Sequence, residues 1–416
     1  MKKERLLILL GSCLALSFLF SIIAPYSRPA PPPVKILKLG ATSNFADRQG
    51  IQLKKILEMN AELINEAGGL EVKGERYKIE MIVYDDKYKA DVGRAAFEKL
   101  VFEDKIRANV GTYASAPLMA GKEITEPNKI PVFHNAVSPE FLKPEYKYLT
   151  HCYSWVPAVL YGMWKFRVER YEPKTVVMVE YDDVTGRAMA KMNADIVAKF
   201  PAVKLTQLYL PHGAPDATPI ATKIKSVNPN LLYIGSVMGG AEIFRLVKAI
   251  HEIGWKGGLD STYLPVALPE IVEKLGKQVV EGATTEQIKD PTEFSWCPKL
   301  LLEHRKNYEK KYGVWENDAI GWTGGWYVFQ ALVKKAHSLD PDVLMDAREG
   351  LEFDCLWGRG KLVPRPDMRN PRHVEAVYPK YTGVIKDGKL VHLRTLTVES
   401  TLKAAEELYG IPVLPR

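Results

Sequence analysis

Short apolar segments alternate with amphipathic helical patterns along most of this 416-residue chain. The alternation begins at Ile36 and continues to residue 133, and a second series restarts after Leu149 and continues to residue 253. Strands separated by helices pair in parallel, with helices covering both faces of the sheet. A chain of 416 residues is too long to fold around a single hydrophobic core. We therefore predict an α/β protein with two doubly wound units of similar size.

Hydrophobic spacing and turn residues place the individual elements. The first long helix has Ile56, Met59 and Leu63 near one face and ends at Gly68 and Gly69, since helix ends favour residues that adopt positive φ. The predicted strands are 36–41, 77–84, 106–110, 131–133, 175–179, 205–210, 231–234 and 279–285, with 362–396 strand-like and rich in turns. The predicted helices are 47–67, 91–103, one from 115, 155–171, 184–200, 217–227, 241–253, 298–312, 319–337, 341–350 and 398–408.

Composition restricts the class of function. The chain is 46% hydrophobic and 26% charged, which is ordinary for a soluble globular protein. Its net charge of +7 is spread along the chain, and no basic tract carries interleaved aromatic residues, which argues against nucleic-acid binding. The four cysteines form no C-x-x-C pair and the eight histidines no His-x-x-x-His pair. Zinc and thioredoxin-like sites are therefore excluded, and no metal or cofactor is expected.

The first 33 residues have the pattern of an export segment. Met1 to Arg5 is basic, Leu6 to Ala24 is an uncharged and mostly apolar run of 19 residues, and Pro25 to Pro33 is rich in proline. The apolar run is long enough to span a bilayer. Two alternatives stay open, an uncleaved membrane anchor and lipidation at Cys13, and the anchor is preferred. Both predict a folded part outside the cytoplasm, periplasmic or extracytoplasmic and tethered to the membrane.

A turn between a strand and a helix provides the first candidate binding element. The apolar strand Ile106 to Val110 is followed by small residues, by Ser115 as a helix cap and by Pro117 in the first helical turn. Free backbone N–H groups and the helix dipole favour an anion at such a turn. The alternative is an ordinary connection, with Ser115 acting only as a cap.

Four segments carry a family resemblance. Ile64 to Leu70 (INEAGGL) is similar to an I-N-x-x-G-G-I motif, and Tyr84-Asp85-Asp86 to the D-D that closes a second strand. Tyr308 to Gly313 (YEKKYG) and the tail from Gly360 to Gly388 match later motifs. By these motifs the chain resembles a type I periplasmic binding protein. The nearest branch is that of the branched-chain amino-acid (leucine/isoleucine/valine) substrate-binding proteins of ABC transporters.

The resemblance implies two lobes joined by three crossovers, with ligand in the cleft between them. Residues 1–33 would precede the lobes as anchor and spacer. Lobe one would hold residues 34–151 and 284–354, and lobe two 152–283 and 355–416. The crossovers are expected near Cys152, Thr284 and Cys355. A disulfide between Cys152 and Cys355 is left open, because the compartment is oxidising.

The resemblance also implies the ligand-binding residues. The serine turn and the next small-residue loop would hold a ligand carboxylate; they are Ala114, Ser115, Ala136, Val137 and Ser138. Gln49 would lie over the ligand, or else in a surface turn. Thr185, Met238 and Tyr263 are the corresponding positions of lobe two. Trp155 either stacks on the ligand or packs the hinge.

Motifs of common enzymes are missing. The first strand is not followed by G-x-G-x-x-G, and neither the P-loop motif nor G-x-S-x-G occurs. We therefore expect a non-enzymatic binding protein that delivers a small molecule to an ABC permease in the inner membrane. The alternative is a ligand-sensing receptor module of the same fold that acts with a separate signalling partner.

The ligand class follows from two missing acids. Amino-acid binders of the family commonly place Asp after the first crossover and Glu in a later loop of lobe two. Here those places hold Trp155-Val156-Pro157 and Ser261-Thr262-Tyr263. Because an unpaired ammonium is costly in a closed cleft, we expect a carboxylate or amide without a free ammonium, such as an aromatic or branched organic acid. Tyr113, Trp155 and Tyr263 could stack on it, whereas Asp182 or Asp183 could replace the missing acid.

Overall fold

The computed structural model describes residues 35–138, 141, 145–154, 156–235, 238–288, 290–365, 374–410 and 412–413. The expected anchor, Cys13 and Trp155 lie outside these residues. Among the residues that are described, no helix is both long enough and apolar enough to cross a bilayer.

The strands form two sheets. In chain order they are β1 Lys35–Ser43, β2 Leu70–Val72, β3 Glu75–Asp85, β4 Ala108–Asn109, β5 Val132–His134, β6 Leu149–His151, β7 Thr175–Tyr181, β8 Lys204–Leu210, β9 Leu231–Ile234, β10 Gly258–Ser261, β11 Thr284–Thr285, β12 Glu352–Cys355, β13 Gly358–Pro364, β14 Val374–Val377, β15 Lys380–Lys386 and β16 Lys389–Leu396.

Sheet one has the strand order β12-β13-β14-β6-β5-β4-β1-β3-β2. Its central strands, from β14 to β3, run parallel, and the edges are antiparallel. Sheet two has the order β16-β15-β11-β10-β9-β7-β8, parallel from β8 to β11 and antiparallel at β15 and β16. These are the two parallel-dominated units that the alternation of strands and helices predicts.

The helices connect successive strands. They are α1 Arg48–Glu66, α2 Ala90–Glu98 with a π-helical turn at Lys99–Glu103, α3 Ser115–Thr125, α4 Val156–Tyr171, α5 Val184–Val197, α6 Thr218–Val227, α7 Gly240–Glu252, α8 Leu264–Leu275, α9 Lys299–Tyr312, α10 Gly324–Ala336, α11 Pro341–Asp346 and α12 Val398–Tyr409.

Both faces of each sheet are covered by helices. On sheet one, α1 and α10 bury one face around Leu53 and Phe329, and α2 and α3 bury the other around Phe97 and Leu118. Sheet two has separate cores on its two faces as well. The arrangement is the doubly wound α/β architecture, in which ligands bind at the carboxyl ends of the parallel strands.

Several helices and strands differ in length from the prediction, and one helix was not predicted. The helix expected over 319–337 begins only at Gly324, because the backbone at Gly324 and Gly325 lies against carbonyl groups of the sheet and leaves no room for a side chain. The strand expected over 279–285 is reduced to its last two residues. Helix α8 was missed; it contains Pro269, a residue that ordinarily breaks a helix interior.

The chain passes between the sheets after His151, after Thr285, and between Val377 and Lys380. The third passage was expected at Cys355, and sheet membership corrects this position. Strands β12 to β14 still belong to sheet one, because Glu375 of β14 pairs in parallel with His151 of β6. The strand-like segment 362–396 is therefore divided between the two sheets.

The cysteine pairing left open by the sequence is absent. Cys152, Cys297 and Cys355 are buried free thiols in the structure. Burial raises the pKa of Cys297 to about 11 and that of Cys355 to about 12, so these thiols stay protonated at neutral pH.

Candidate functional site

Loops that follow the parallel strands of both sheets meet in one cleft. Val137 follows β5, Tyr153 follows β6, Tyr263 follows β10 and Gln287 follows β11, and all four line the same space. The space measures about 580 Å³ including its opening to solvent. This lies within the range of sites for small organic molecules. The cleft therefore occupies the position at which doubly wound sheets bind ligands.

Three aromatic rings stack in a column on the sheet-one side, and two of them, Trp322 and Tyr153, line the cleft. Trp322 lies between Tyr113 and Tyr153, and each ring centroid is 5.4 Å from that of the indole, with interplanar angles of 23° and 26°. Tyr88 meets Tyr113 edge-on at 6.0 Å. We call Tyr113, Trp322 and Tyr153 the ring column. The Trp322 and Tyr153 rings therefore give this side of the cleft an apolar, aromatic lining that suits flat or apolar ligands.

Hydrogen bonds fix the central ring of the column. The indole Nε1 of Trp322 donates to Gln49 Oε1 at 2.8 Å, and the Trp322 carbonyl accepts from Asn135 Nδ2 at 2.6 Å. Trp322 lies in a 3₁₀ turn directly before α10, whose first two glycines pack against sheet one. The sequence supports this close approach, since only glycine fits there.

The sheet-two side of the cleft is built over a buried charge network. Arg167 of α4 donates from Nε to Asp260 Oδ2 at 2.8 Å and from Nη2 to Glu286 Oε1. The second Glu286 oxygen accepts from Thr262 Oγ1 at 2.9 Å. The rings of Trp164 and Tyr233 lie 4.8 and 3.9 Å from the guanidinium carbon. Glu286 thus lines the cleft with both carboxylate oxygens already hydrogen-bonded.

Lys380 brings a positive charge to the same cleft. It is the first residue of β15 and is 7% exposed. Its Nζ lies 3.9 Å from the centroid of the Tyr153 ring, 5.0 Å from that of Tyr378 and 6.0 Å from that of Trp357. Aromatic faces attract cations, so these rings hold the ammonium at the cleft.

Tyrosine hydroxyls in the cleft stay protonated. Burial raises the pKa of Tyr263 well above its usual value, with the nearby Tyr153 as the next cause. Burial also raises the pKa of Tyr113. Gln287 Nε2 donates to Tyr153 Oη at 2.9 Å. At neutral pH the Tyr263 and Tyr113 phenols therefore act as neutral hydrogen-bonding groups with apolar ring faces.

Three residues predicted from the sequence lie in the cleft. Val137 and Tyr263 line the main space, and Gln49 lines an adjoining part together with Tyr153, Tyr263 and Trp322. Gln49 is the second residue of α1 and hydrogen-bonds Trp322, so it does not lie in a separate surface turn.

The remaining predicted residues differ in position. Ala114 and Ala136 are buried, and Met238 packs in the core of sheet two. Ser115 is the first residue of α3, and Ala114 takes the N-cap position without a side-chain hydrogen bond, so the expected serine cap is wrong. Ser138 and Thr185 are half-buried, and Thr185 is in the first turn of α5.

The two acids that could have replaced the missing ammonium partners are already paired. Asp182 accepts from Arg187 Nε at 2.9 Å. Asp183 caps α5 by accepting from Gly186 N and lies 2.6 Å from His212 Nε2. Across the described ranges, no group of three His, Cys, Asp or Glu side chains could hold a metal ion.

Sequence reasoning missed Trp322, Tyr153, Glu286 and Lys380. Trp322 was placed inside a helix, and its neighbours Gly324 and Gly325 were the feature that could have moved the helix start. Lys380 follows the late passage between sheets, which was expected 25 residues earlier, at Cys355. Charge alone did not distinguish Lys380 from the many exposed lysines.

A family model described as "Periplasmic binding protein" matches residues 33–378. The chain belongs to this family. Its two parallel-dominated sheets joined by three chain passages are the type I periplasmic binding protein fold, and its relatives include binding proteins of branched-chain amino-acid ABC transporters. Membership implies an extracytoplasmic location and a role in binding.

Solved structures with the same fold are similar to this periplasmic binding protein at low sequence identity. A leucine-binding protein from Thermotoga maritima is 18% identical, with a TM-score of 0.68 over 86% of this chain and 98% of that one. A solute-binding protein from Rhodopseudomonas palustris in complex with 3,4-dihydroxybenzoic acid is 18% identical, with a TM-score of 0.68 over 87% and 98%. A third, from R. palustris in complex with benzoate, is 17% identical, with a TM-score of 0.65 over 87% and 96%.

Proposed function

We propose that this periplasmic binding protein is a non-enzymatic component of an ABC importer. Its ligand is a small carboxylate or amide without a free ammonium, preferably an aromatic or branched organic acid. The ligand bridges two lobes and favours the closed state, because only that state makes both sets of contacts. A permease in the inner membrane receives the ligand, and residues 1–33 tether the protein to the membrane.

The ring column carries this proposal. Trp322 and Tyr153 line the cleft with apolar ring surface, and Tyr113 is buried against Trp322; aromatic or branched apolar groups pack on such surface. An ammonium would need an acid whose charge is not already neutralised, whereas Glu286 is paired with Arg167 and also accepts a hydrogen bond from Thr262. Relatives of the same fold that hold benzoate and 3,4-dihydroxybenzoate support an aromatic acid.

Roles for the predicted residues follow from their positions. Gln49, Val137 and Tyr263 contact the apolar part of the ligand together with the ring column. Ser115, Ser138 and Thr185 supply hydroxyl groups, and the buried Ala114 and Ala136 contribute through their backbone. Met238 is not assigned to the ligand, because its side chain packs within the core.

Thermal unfolding with matched compounds tests the ligand class. Leucine and 4-methylpentanoate differ only in the amino group, and benzoate and benzamide differ in charge. We expect 4-methylpentanoate, benzoate or benzamide to raise the melting temperature, since a ligand at 100 times its Kd adds about 2.7 kcal/mol. Stabilisation by leucine alone would contradict the proposal and would make Glu286 the ammonium partner.

A matched pair of tryptophan variants tests the ring column. In Trp322→Leu we expect affinity for the stabilising compound to fall about 10- to 100-fold, because the stacking surface and its support by Gln49 are lost. Trp255→Leu is the control, since Trp255 is also half-buried but precedes β10, at the amino ends of the sheet-two strands and away from the cleft. Equal loss in both variants, measured by isothermal titration, would argue against the column as the binding surface.

A further inference from the structure

Lys380 is a buried cation without an acidic partner. Among the described residues, no carboxylate lies within ion-pair distance of its Nζ, and its contacts are the rings of Tyr153, Tyr378 and Trp357. Ring faces attract the charge but accept hydrogen bonds poorly, and an ammonium has three N–H donors. Although the side chain is largely buried, its Nζ reaches the cleft, so these donors are open to a ligand. A ligand anion beside Nζ would accept charge-assisted hydrogen bonds from it.

The acid that shares the cleft is committed elsewhere. Glu286 lines the same space as Lys380, but its oxygens are bound by Arg167 and Thr262. Arg167 in turn is fixed by Asp260 and by two rings. If Glu286 turned toward Lys380, Arg167 would lose its buried ion pair with Glu286. The network therefore keeps Lys380 available to a ligand.

The position of Lys380 also defines how an acidic ligand would be oriented in the cleft. Its Nζ lies against Tyr153, the terminal ring of the column. Tyr153 follows the first passage between the sheets and Lys380 follows the third, so both lie where the chain crosses. A flat acid that packs along the column has a cation at this end. The serine turn at Ser115 belongs to a different part of sheet one, at the start of α3.

We propose, on the basis of the proposed function, that Lys380 binds the ligand's carboxylate and determines the preference for acids. The carboxylate end then lies at the chain crossings, beside Tyr153, and the apolar end extends along Trp322. This departs from the expectation that the serine turns hold the carboxylate. It assigns specificity for charge to one side chain of β15.

Charge-matched probes and variants test Lys380. Titrations use benzoate and 4-methylpentanoate as acids and benzamide as the neutral probe. In Lys380→Met we expect affinity for the acids to fall about 10- to 100-fold, the range for a hydrogen bond to a charged group, while benzamide changes less than about threefold. Lys380→Arg keeps acid binding within about tenfold, because the positive charge remains.

Controls separate this inference from folding and from the proposed function. Lys386→Met removes an exposed lysine at the other end of the same strand and leaves affinity unchanged. Lys380→Gln provides a second neutral variant should Lys380→Met fail to fold. Acid binding by Lys380→Met or Lys380→Gln at wild-type affinity overturns the role of Lys380 but not the proposed function. Failure of the wild type to bind either acid overturns the role of Lys380, and failure to bind benzamide as well overturns the proposed function too.

Discussion

The two sides of the cleft differ in the side chains that form them and in how the polar groups are paired. The sheet-one side is built from neutral rings, with Trp322 held by amide hydrogen bonds to Gln49 and Asn135. The sheet-two side lies over charged groups, Arg167, Asp260 and Glu286, which bind one another. Neutral rings remain open to a ligand at little cost, whereas buried charges must be paired within the protein. The comparison indicates that stability and recognition depend on different sides.

The largest expected effect comes from removing the centre of the charge network. Arg167→Met leaves Asp260 and Glu286 buried without their cation, so we expect the free energy of unfolding to fall by about 3–5 kcal/mol. The control is Arg187→Met, which breaks an exposed pair with Asp182 and should cost less than about 1 kcal/mol. Urea unfolding measures both variants. Similar small losses would show that the network contributes no more than a surface pair.

A buried histidine on the sheet-one half gives a pH-dependent effect. His304 of α9 packs beside Trp315, and burial lowers its pKa from 6.5 to about 4. Between these values the unfolded state binds more protons, so this contribution is complete above pH 6.5 and is lost as pH falls toward 4. The difference corresponds to about 3 kcal/mol.

The test compares unfolding free energies at pH 7.5 and 4.5 in the wild type and in His304→Met. The variant should lose less stability on acidification than the wild type, because it lacks the group that must be protonated on unfolding. His251→Met, which replaces an exposed histidine, serves as control and should retain the wild-type dependence. If the wild type and His304→Met lose the same unfolding free energy on acidification, His304 does not cause the pH dependence.

A smaller effect is expected at the edge of the charge network. Thr262→Val removes the hydroxyl that donates to Glu286 Oε2 and should destabilise the protein by about 2 kcal/mol, since the bond is buried and involves a charge. Thr222→Val on the exposed face of α6 removes a hydroxyl bond to a backbone carbonyl and should stay within about 0.5 kcal/mol. Thermal unfolding decides whether Thr262 contributes more than this surface threonine.

Local pattern predicted most of the fold. The β-branched run at Thr175 and the apolar spacing of α1 each specify an element without help from the rest of the chain. Prediction failed where tertiary contacts set the boundary. Trp322 is in a turn because Gly324 and Gly325 pack against the sheet, and β13 and β14 belong to sheet one because β14 pairs with β6. Neither contact has a local sequence pattern.

The amino-acid pattern is sufficient to predict the alternation of strands and helices, the two doubly wound units and the family. Which side chains meet in the cleft depends on the tertiary structure. Tyr153, Glu286, Trp322 and Lys380 come from four distant segments and follow no shared period, yet the two sheets bring them to one place. Periodicity reports which face of an element is buried, whereas the meeting of loops depends on sheet order and on where the chain crosses between sheets.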